Sequence, residues 1–159
     1  MDDVSLVLGI GNSLLTDEGA GVHAVRRLES SKRERHPATR FLDGGTLSFP
    51  LVEAISQARH LIVIDAAQLD GEPGNVRLFE GGQMDDFIAS GSKRSVHEVG
   101  LVDLMSMVRL RGGLPERRAL VAIQPGQMGW GEAPSAPVAC AIDEACELVD
   151  ELLERWRNE

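Results

Sequence analysis

The stretch Leu8-Gly9-Ile10-Gly11-Asn12-Ser13-Leu14-Leu15-Thr16-Asp17-Glu18-Gly19-Ala20-Gly21-Val22 limits the folds open to this chain more than any other. An apolar run from Val4 to Leu8 meets a glycine turn, and a helical pattern begins near Thr16, so the segment reads as strand, loop and helix. In an open α/β sheet such a loop lies at the carboxyl edge of the strands, where ligands bind. It delivers two adjacent carboxylates there, Asp17 and Glu18. Two accounts fit the loop alone. Thr16 caps the helix and each acid favours its dipole by ~0.3–1 kcal/mol, or the acids hold a ligand.

Pyrophosphate is a poor candidate for that ligand. Gly9-x-Gly11 follows a strand, but the third glycine of the dinucleotide fingerprint would fall at position 14, which is Leu. The acids also put negative charge where a helix N-terminus would otherwise attract phosphate. No Lys-Ser or Lys-Thr pair follows the glycines, so a Walker loop is excluded too. A formal net charge of -9 argues against nucleic acid and anionic membrane as partners. The mixed cluster Lys32-Arg33-Glu34-Arg35 reads as a solvated helix end.

With 159 residues, 43% of them hydrophobic, the chain is expected to fold as one domain, 1–159, around a sizeable core. No apolar run approaches the ~20 residues needed to span a bilayer, and Met-Asp-Asp lacks the basic start of a signal peptide, which predicts a cytoplasmic protein without membrane insertion. Cys140 and Cys146 sit on one predicted helix, roughly 9 Å apart along its axis, too far for a disulfide. They read as buried free thiols.

Val22, Val25 and Leu28 recur with helical spacing after the first loop. Thr39 to Leu42 reads as a second strand ending in Asp43-Gly44-Gly45-Thr46, and Ser48 and Pro50 open a helix facing inward through Leu51 and Ile55. His60-Leu61-Ile62-Val63-Ile64-Asp65 is the clearest strand, a β-branched run of the kind buried on both faces of a parallel sheet. An Asp ending a central strand is costly to bury unless it is hydrogen-bonded, paired or ligating. Asn75 to Glu80 follows too soon for a helical crossover and is expected to be antiparallel. Residues 81–96 then return the chain to the carboxyl edge. Ser95-Val96-His97-Glu98-Val99-Gly100-Leu101 opens a helix carrying Val102, Leu104, Met105 and Val108, so His97 stands at a helix start beside Glu18 and Asp65. His23, His36 and His60 read as capping or surface residues.

Ala119 to Ile123 is again a parallel strand. Gln124 to Pro134 forms a glycine-rich loop at the same edge, too apolar for a linker, in which Trp130 either covers the core or contacts a partner. Val138, Ile142, Ala145, Val149, Leu152 and Trp156 give the last helix its apolar face. The expected architecture is a three-layer α/β/α sandwich with a mostly parallel sheet of about five strands, one of them antiparallel. Glu18, Asp65 and His97 would offer two oxygens and one imidazole nitrogen at one point, a set suited to zinc or nickel. HExxH and GxSxG are both absent.

Gly9-Ile10-Gly11-Asn12 with Asp17-Glu18-Gly19-x-Gly21, Asp43-Gly44-Gly45-Thr46, Asp65-Ala66 and His97-x-x-Gly100-Leu101 together resemble the hydrogenase maturation endopeptidases, over nearly the whole chain. The resemblance implies a peptidase that removes a C-terminal extension from the large-subunit precursor of a nickel-iron hydrogenase after nickel insertion. It implies Glu18, Asp65 and His97 as the residues that recognise nickel carried by the precursor, with other divalent metals able to occupy the site in the isolated protein. Glu18 and Asp65 then take part in the chemistry, Asp43 is a catalytic or substrate-binding candidate, and Gly44, Gly45, Thr46 and Trp130 are substrate-binding candidates. Two rival readings differ in class. A noncatalytic metal-binding maturation chaperone would use the same triad without cutting, and a Rossmann-like nucleotide-binding protein would need the phosphate cradle that Leu14 interrupts.

Overall fold

Short β-branched runs and 3.6-period apolar stripes alternate along the chain, and each run became a strand and each stripe a helix. The computed structural model describes residues 4–45, 49–90 and 100–159. Its strands are β1 (Ser5–Ile10), β2 (Thr39–Gly45), β3 (His60–Ala66), β4 (Val76–Glu80) and β5 (Arg117–Ile123). Its helices are α1 (Ala20–Lys32), α2 (Pro50–Gln57), α3 (Gly82–Ala89), α4 (Leu101–Gly112) and α5 (Ala136–Asn158), with a 3-10 turn at Thr16–Gly19 leading into α1.

The sheet order is β2-β1-β3-β5-β4. Every neighbouring pair is parallel except β4 and β5, which run antiparallel as the short connection after β3 requires. Alternate strand residues feed two cores. Leu6, Leu8, Ile10, Leu61, Val63, Leu120 and Ala122 pack with α2, α3 and α4. Val7, Ile62, Ile64, Ala119, Val121 and Ile123 pack with α1 and α5. The result is the expected three-layer sandwich.

From β1 the chain winds outward to β2, then crosses back over β1 to β3. The winding therefore reverses between β1 and β3, and the carboxyl ends of these two strands flank the crevice where such sheets bind ligands.

Several local expectations are revised. Residues 82–89, expected only as a return path, form α3, seated by the fully buried Met84 and a stacked Phe79–Phe87 pair with ring centroids 4.1 Å apart. Helix α4 spans Leu101–Gly112 with Gly100 as its N-cap, and the expectation that places His97 at a helix start lies outside the described residues, which omit 91–99. Val102 faces solvent because it falls off the stripe made by Leu104, Met105 and Val108. Thr46 and Ser48 are outside the described residues, and α2 is capped by Phe49 without a side-chain bond. Cys146 is buried as expected, but Cys140, in the second turn of α5, is exposed. The basic cluster is a solvated helix end, with Arg33, Glu34 and Arg35 exposed, and it also pairs with α5: Arg35 with Asp150 and Glu154, and Lys32 with Asp150. His36 is buried beside it, its Nε2 2.6 Å from Asp150. Among the described residues no helix is long and apolar enough to cross a membrane.

Candidate active site

The first loop turns so tightly that side chains are excluded at several of its glycines, Gly11 and Gly21 among them. At Gly11, with φ +143°, a Cβ would lie 2.0 Å from the Glu18 carbonyl oxygen. At Gly21 a Cβ would lie 2.2 Å from the Ile64 carbonyl and 2.4 Å from that of Ile10. Glycine at 21 thus lets the first turn of α1 sit against the ends of β1 and β3 together. Glu18 precedes Gly21 by three residues and Asp65 follows Ile64. The two acids are carried to the same crevice and both are buried, Glu18 at 7% and Asp65 at 4% exposure. Carboxylates are held at such burial only where charge or hydrogen bonding compensates for lost water. The third predicted member, His97, is outside the described residues.

Asp17 takes a different direction from its neighbour. It is fully buried, and Oδ2 accepts from the Gly126 N–H (2.8 Å), the Gln127 N–H (2.7 Å) and the Ser135 hydroxyl (2.8 Å), while Oδ1 accepts from the Ser135 N–H (2.7 Å). Burial pushes its pKa up, but the hydrogen bonds from Gln127, Ser135 and Gly126 outweigh it and hold the carboxyl below its ordinary value. Thr16 does not cap the helix. Its hydroxyl donates to the carbonyls of Gln127 (2.5 Å) and Gly129 (3.0 Å), and its backbone carries a positive φ of 45°. His23 in α1 is half-buried. Burial, then the charges of Arg26 and Arg27, push its pKa below the usual imidazole value.

At the end of β2 the pairing with β1 slips, Gly9 facing Asp43 and Ile10 facing Gly45, so Gly44 is bulged out. At Gly44 a Cβ would meet Leu8 Cδ1 at 2.7 Å and the Gly9 carbonyl oxygen at 3.3 Å, so a larger residue there would make the Leu8 side chain shift. Gly45 has φ +53° and open space around it. Asp43 Oδ1 accepts the Gly45 N–H at 2.9 Å, and Oδ2 accepts from Arg26 Nε at 3.1 Å and faces its terminal nitrogen at 2.8 Å. A cleft of about 330 Å³ opens here, lined among others by Asn12, Leu14, Arg26, Asp43 and Gly45. Trp130 does not cover the core: it is 83% exposed.

Among the described residues one group of His and acid side chains has ligand atoms within 4.8 Å of one another, namely His36, Asp150 and Glu154. It lies where α1 leads into β2, at the opposite end of the strands. Lys32 and Arg35 already face Asp150, and Arg35 and Arg157 face Glu154, so the acids are neutralised by protein cations. The chemistry of the predicted site is not found there.

Comparison with known proteins supplies the deciding observation. Residues 22–151 match the family model described as hydrogenase maturation protease. The chain belongs to the hydrogenase maturation protease family. It is 36% identical over 152 residues to the hydrogenase expression/formation protein HupD of Rhizobium leguminosarum bv. viciae, covering 95% of this chain and 74% of HupD. It is 34% identical over 146 residues to the hydrogenase 2 maturation protease of Escherichia coli K12, covering 91% and 87%. The hydrogenase maturating endopeptidase HybD from E. coli superposes with a TM-score of 0.82 at 30% identity, over 95% of this chain and 92% of that one.

Two residues of this maturation protease gained roles that its sequence did not assign. Asp17 looked like a companion of Glu18, yet its partners lie more than a hundred positions away. Gln124, buried at the end of β5, accepts the Leu69 N–H at 2.6 Å and donates to the Gln68 side chain at 2.9 Å, fixing the chain just after Asp65. A polar residue ending a central strand was the available signal.

Proposed function

We propose that this protease removes the C-terminal extension of a nickel-iron hydrogenase large-subunit precursor after nickel has been seated, and that Glu18, Asp65 and His97 receive that nickel as part of the substrate. The observation that carries this reading is the burial of Glu18 and Asp65 at the β1–β3 reversal, between the segment that carries the glycine motif and the strand whose last residues are Asp65 and Ala66. His97 is assigned from the His97-x-x-Gly100-Leu101 motif just ahead of α4. Two carboxylates and an imidazole leave coordination positions for ligands from the precursor itself.

Seated nickel supplies Lewis acidity and a fixed point of attachment for the precursor. The protein's part is to hold the scissile amide beside its own carboxylates. A carboxylate accepts the proton of a water whose oxygen bonds to the carbonyl carbon, and the amide nitrogen then leaves as an amine with a proton returned to it. The extension runs through the cleft at Gly45 and Asp43, with Gly44 shaping the bulge, Thr46 following it, and Trp130 contacting the precursor. Asp43 is engaged by Arg26 on one oxygen and by Gly45 on the other, which supports a role in shaping this cleft over a role as free base.

The test incubates chelator-treated protease with nickel-loaded and nickel-free precursor and follows the released fragment by mass. Only the loaded precursor is cut. Glu18→Gln and Asp65→Asn each lower the rate about 100-fold or more while the circular dichroism of the fold is kept. Efficient cutting of nickel-free precursor, or wild-type rates in either variant, would overturn the proposal.

A further inference from the structure

The loop 124–135 has an unusual problem. Between Gly126 and Ser135 no side chain is buried, so the segment has no core of its own to hold its shape. Three of its residues are glycines, at 126, 129 and 131, which adds backbone freedom to be restrained. What restrains it comes from the loop after β1. The Thr16 N–H donates to the Gly131 carbonyl at 2.8 Å, the Gly131 N–H to Leu14 at 2.8 Å, and the Asp17 N–H to Gln127 at 3.0 Å. Thr16 adds its two hydroxyl contacts, at a strained backbone angle that the surrounding bonds must maintain. At the centre is the Asp17 carboxylate, which grips both ends of the loop at once: Gly126 and Gln127 at the start and Ser135 at the finish.

We infer that Asp17 is a positioning residue for precursor binding: its buried carboxylate clamps loop 124–135 to the loop that carries Glu18, fixing the ledge from which Leu14 and Trp130 face solvent. This rests on the precursor-cutting reading above. Two facts on Asp17 and two on the ledge point the same way. All four of its partners are donors, so an acceptor on both oxygens is needed, and charge-assisted bonds are the strong ones. Its next neighbour in the chain is Glu18, so the clamp and the proposed nickel contact belong to one 3-10 turn. Leu14 is 49% and Trp130 83% exposed, two large apolar groups on adjoining segments that a docked precursor would take out of water. The Gly131 N–H to Leu14 carbonyl bond and the Leu15–Gly131 bridge hold the two on adjoining backbone segments. A ledge held in place before binding gives up less entropy when the precursor docks.

An Asn at 17 can present oxygen to Gly126, Gln127 and the Ser135 hydroxyl, but its amide then faces the Ser135 N–H donor to donor. Ala loses all four bonds. The experiment measures kcat and KM for nickel-loaded precursor, and precursor affinity directly by titration, for Asp17→Asn, Asp17→Ala, Ser135→Ala and Trp130→Ala. Amide exchange at Gly126, Gln127 and Ser135 reports the loop itself. Asp17→Ala raises KM and the dissociation constant about tenfold with kcat changed less than about threefold. Asp17→Asn falls between it and wild type, Ser135→Ala shifts the same constants by less, and the Asp17→Ala effect shrinks in a Trp130→Ala background. Unchanged KM and affinity with faster loop exchange would overturn the inference, and so would a fall in kcat alone, which signals lost active protein. If Asp17→Ala does not fold, Ser135→Ala decides by the same two readouts. Wild-type protein that binds the precursor without cutting it refutes the cutting reading, while the affinity comparison still judges Asp17.

Discussion

Asp43 and Arg26 show how a motif residue divides between chemistry and shape. The pair lies at the rim of the 330 Å³ cleft, partly exposed, and a surface pair of this kind contributes only ~0–1 kcal/mol to stability. Its effect on processing is therefore separable from folding. If Asp43 works by orienting Arg26 and the Gly45 turn, Asp43→Asn and Arg26→Ala lower kcat/KM by similar factors, about three- to tenfold, and the double variant is no worse than either. A much larger loss in Asp43→Asn alone, with precursor binding kept, would return the catalytic role to Asp43. At this scale the sequence was legible where a strand ends: the β-branched run locates the end of β3, and the acid there, Asp65, is buried and so needs the reason that reading asked for. Asp17 could not be separated from Glu18, because its meaning lies in Gly126, Gln127 and Ser135, contacts that no local pattern encodes.

Among the elements, the junction of α1 with β1 and β3 carries the proposed site, and Gly21 is its hinge pin. A methyl group at 21 would meet two backbone carbonyls, which have no rotamer to escape into, so the helix start itself must move. Gly21→Ala is expected to cost about 1–3 kcal/mol, the usual range for overpacking, and to reduce cleavage by displacing Glu18 from Asp65. Chemical denaturation and processing assays on the same sample check both, and wild-type cleavage in a destabilised Gly21→Ala would separate the helix start from the site. The elements that were readable, β3 and α5 above all, declare a single period over their full length. Helix α3 does not. It spans Gly82–Ala89, begins at a glycine, has one fully buried residue in Met84, and owes its position to the two-pronged pair of Asp85 with Arg118 on β5, at 2.9 and 2.6 Å. Tertiary contacts of that kind override a weak local pattern.

Across the whole molecule, acid should dismantle the protein in two stages, because the shifted groups titrate in separate windows. His23 is held below the usual imidazole value by burial and by Arg26 and Arg27. Between the unfolded imidazole value of about 6.5 and the lower folded one, the unfolded chain binds the proton and the folded chain does not, so stability falls as pH falls through this window. Asp17, Asp85 and Asp150 are held below the ordinary aspartate value, Asp17 and Asp150 against the effect of burial and Asp85 chiefly by Arg118. Their contribution is complete above an unfolded value of about 3.9 and is lost as pH drops through the folded values. Arg118, raised by Asp85, adds nothing to this slope because it stays charged throughout. Thermal melts from pH 7.5 to 2.5 should thus show a shallow decline starting near pH ~6.5 and a steep one below ~4. His23→Gln is expected to flatten the first and leave the second. Asp85→Asn lowers stability at neutral pH and flattens only the second, since the bond it forfeits is one that acid would have removed. A first decline that persists unchanged in His23→Gln would show that another group sets it.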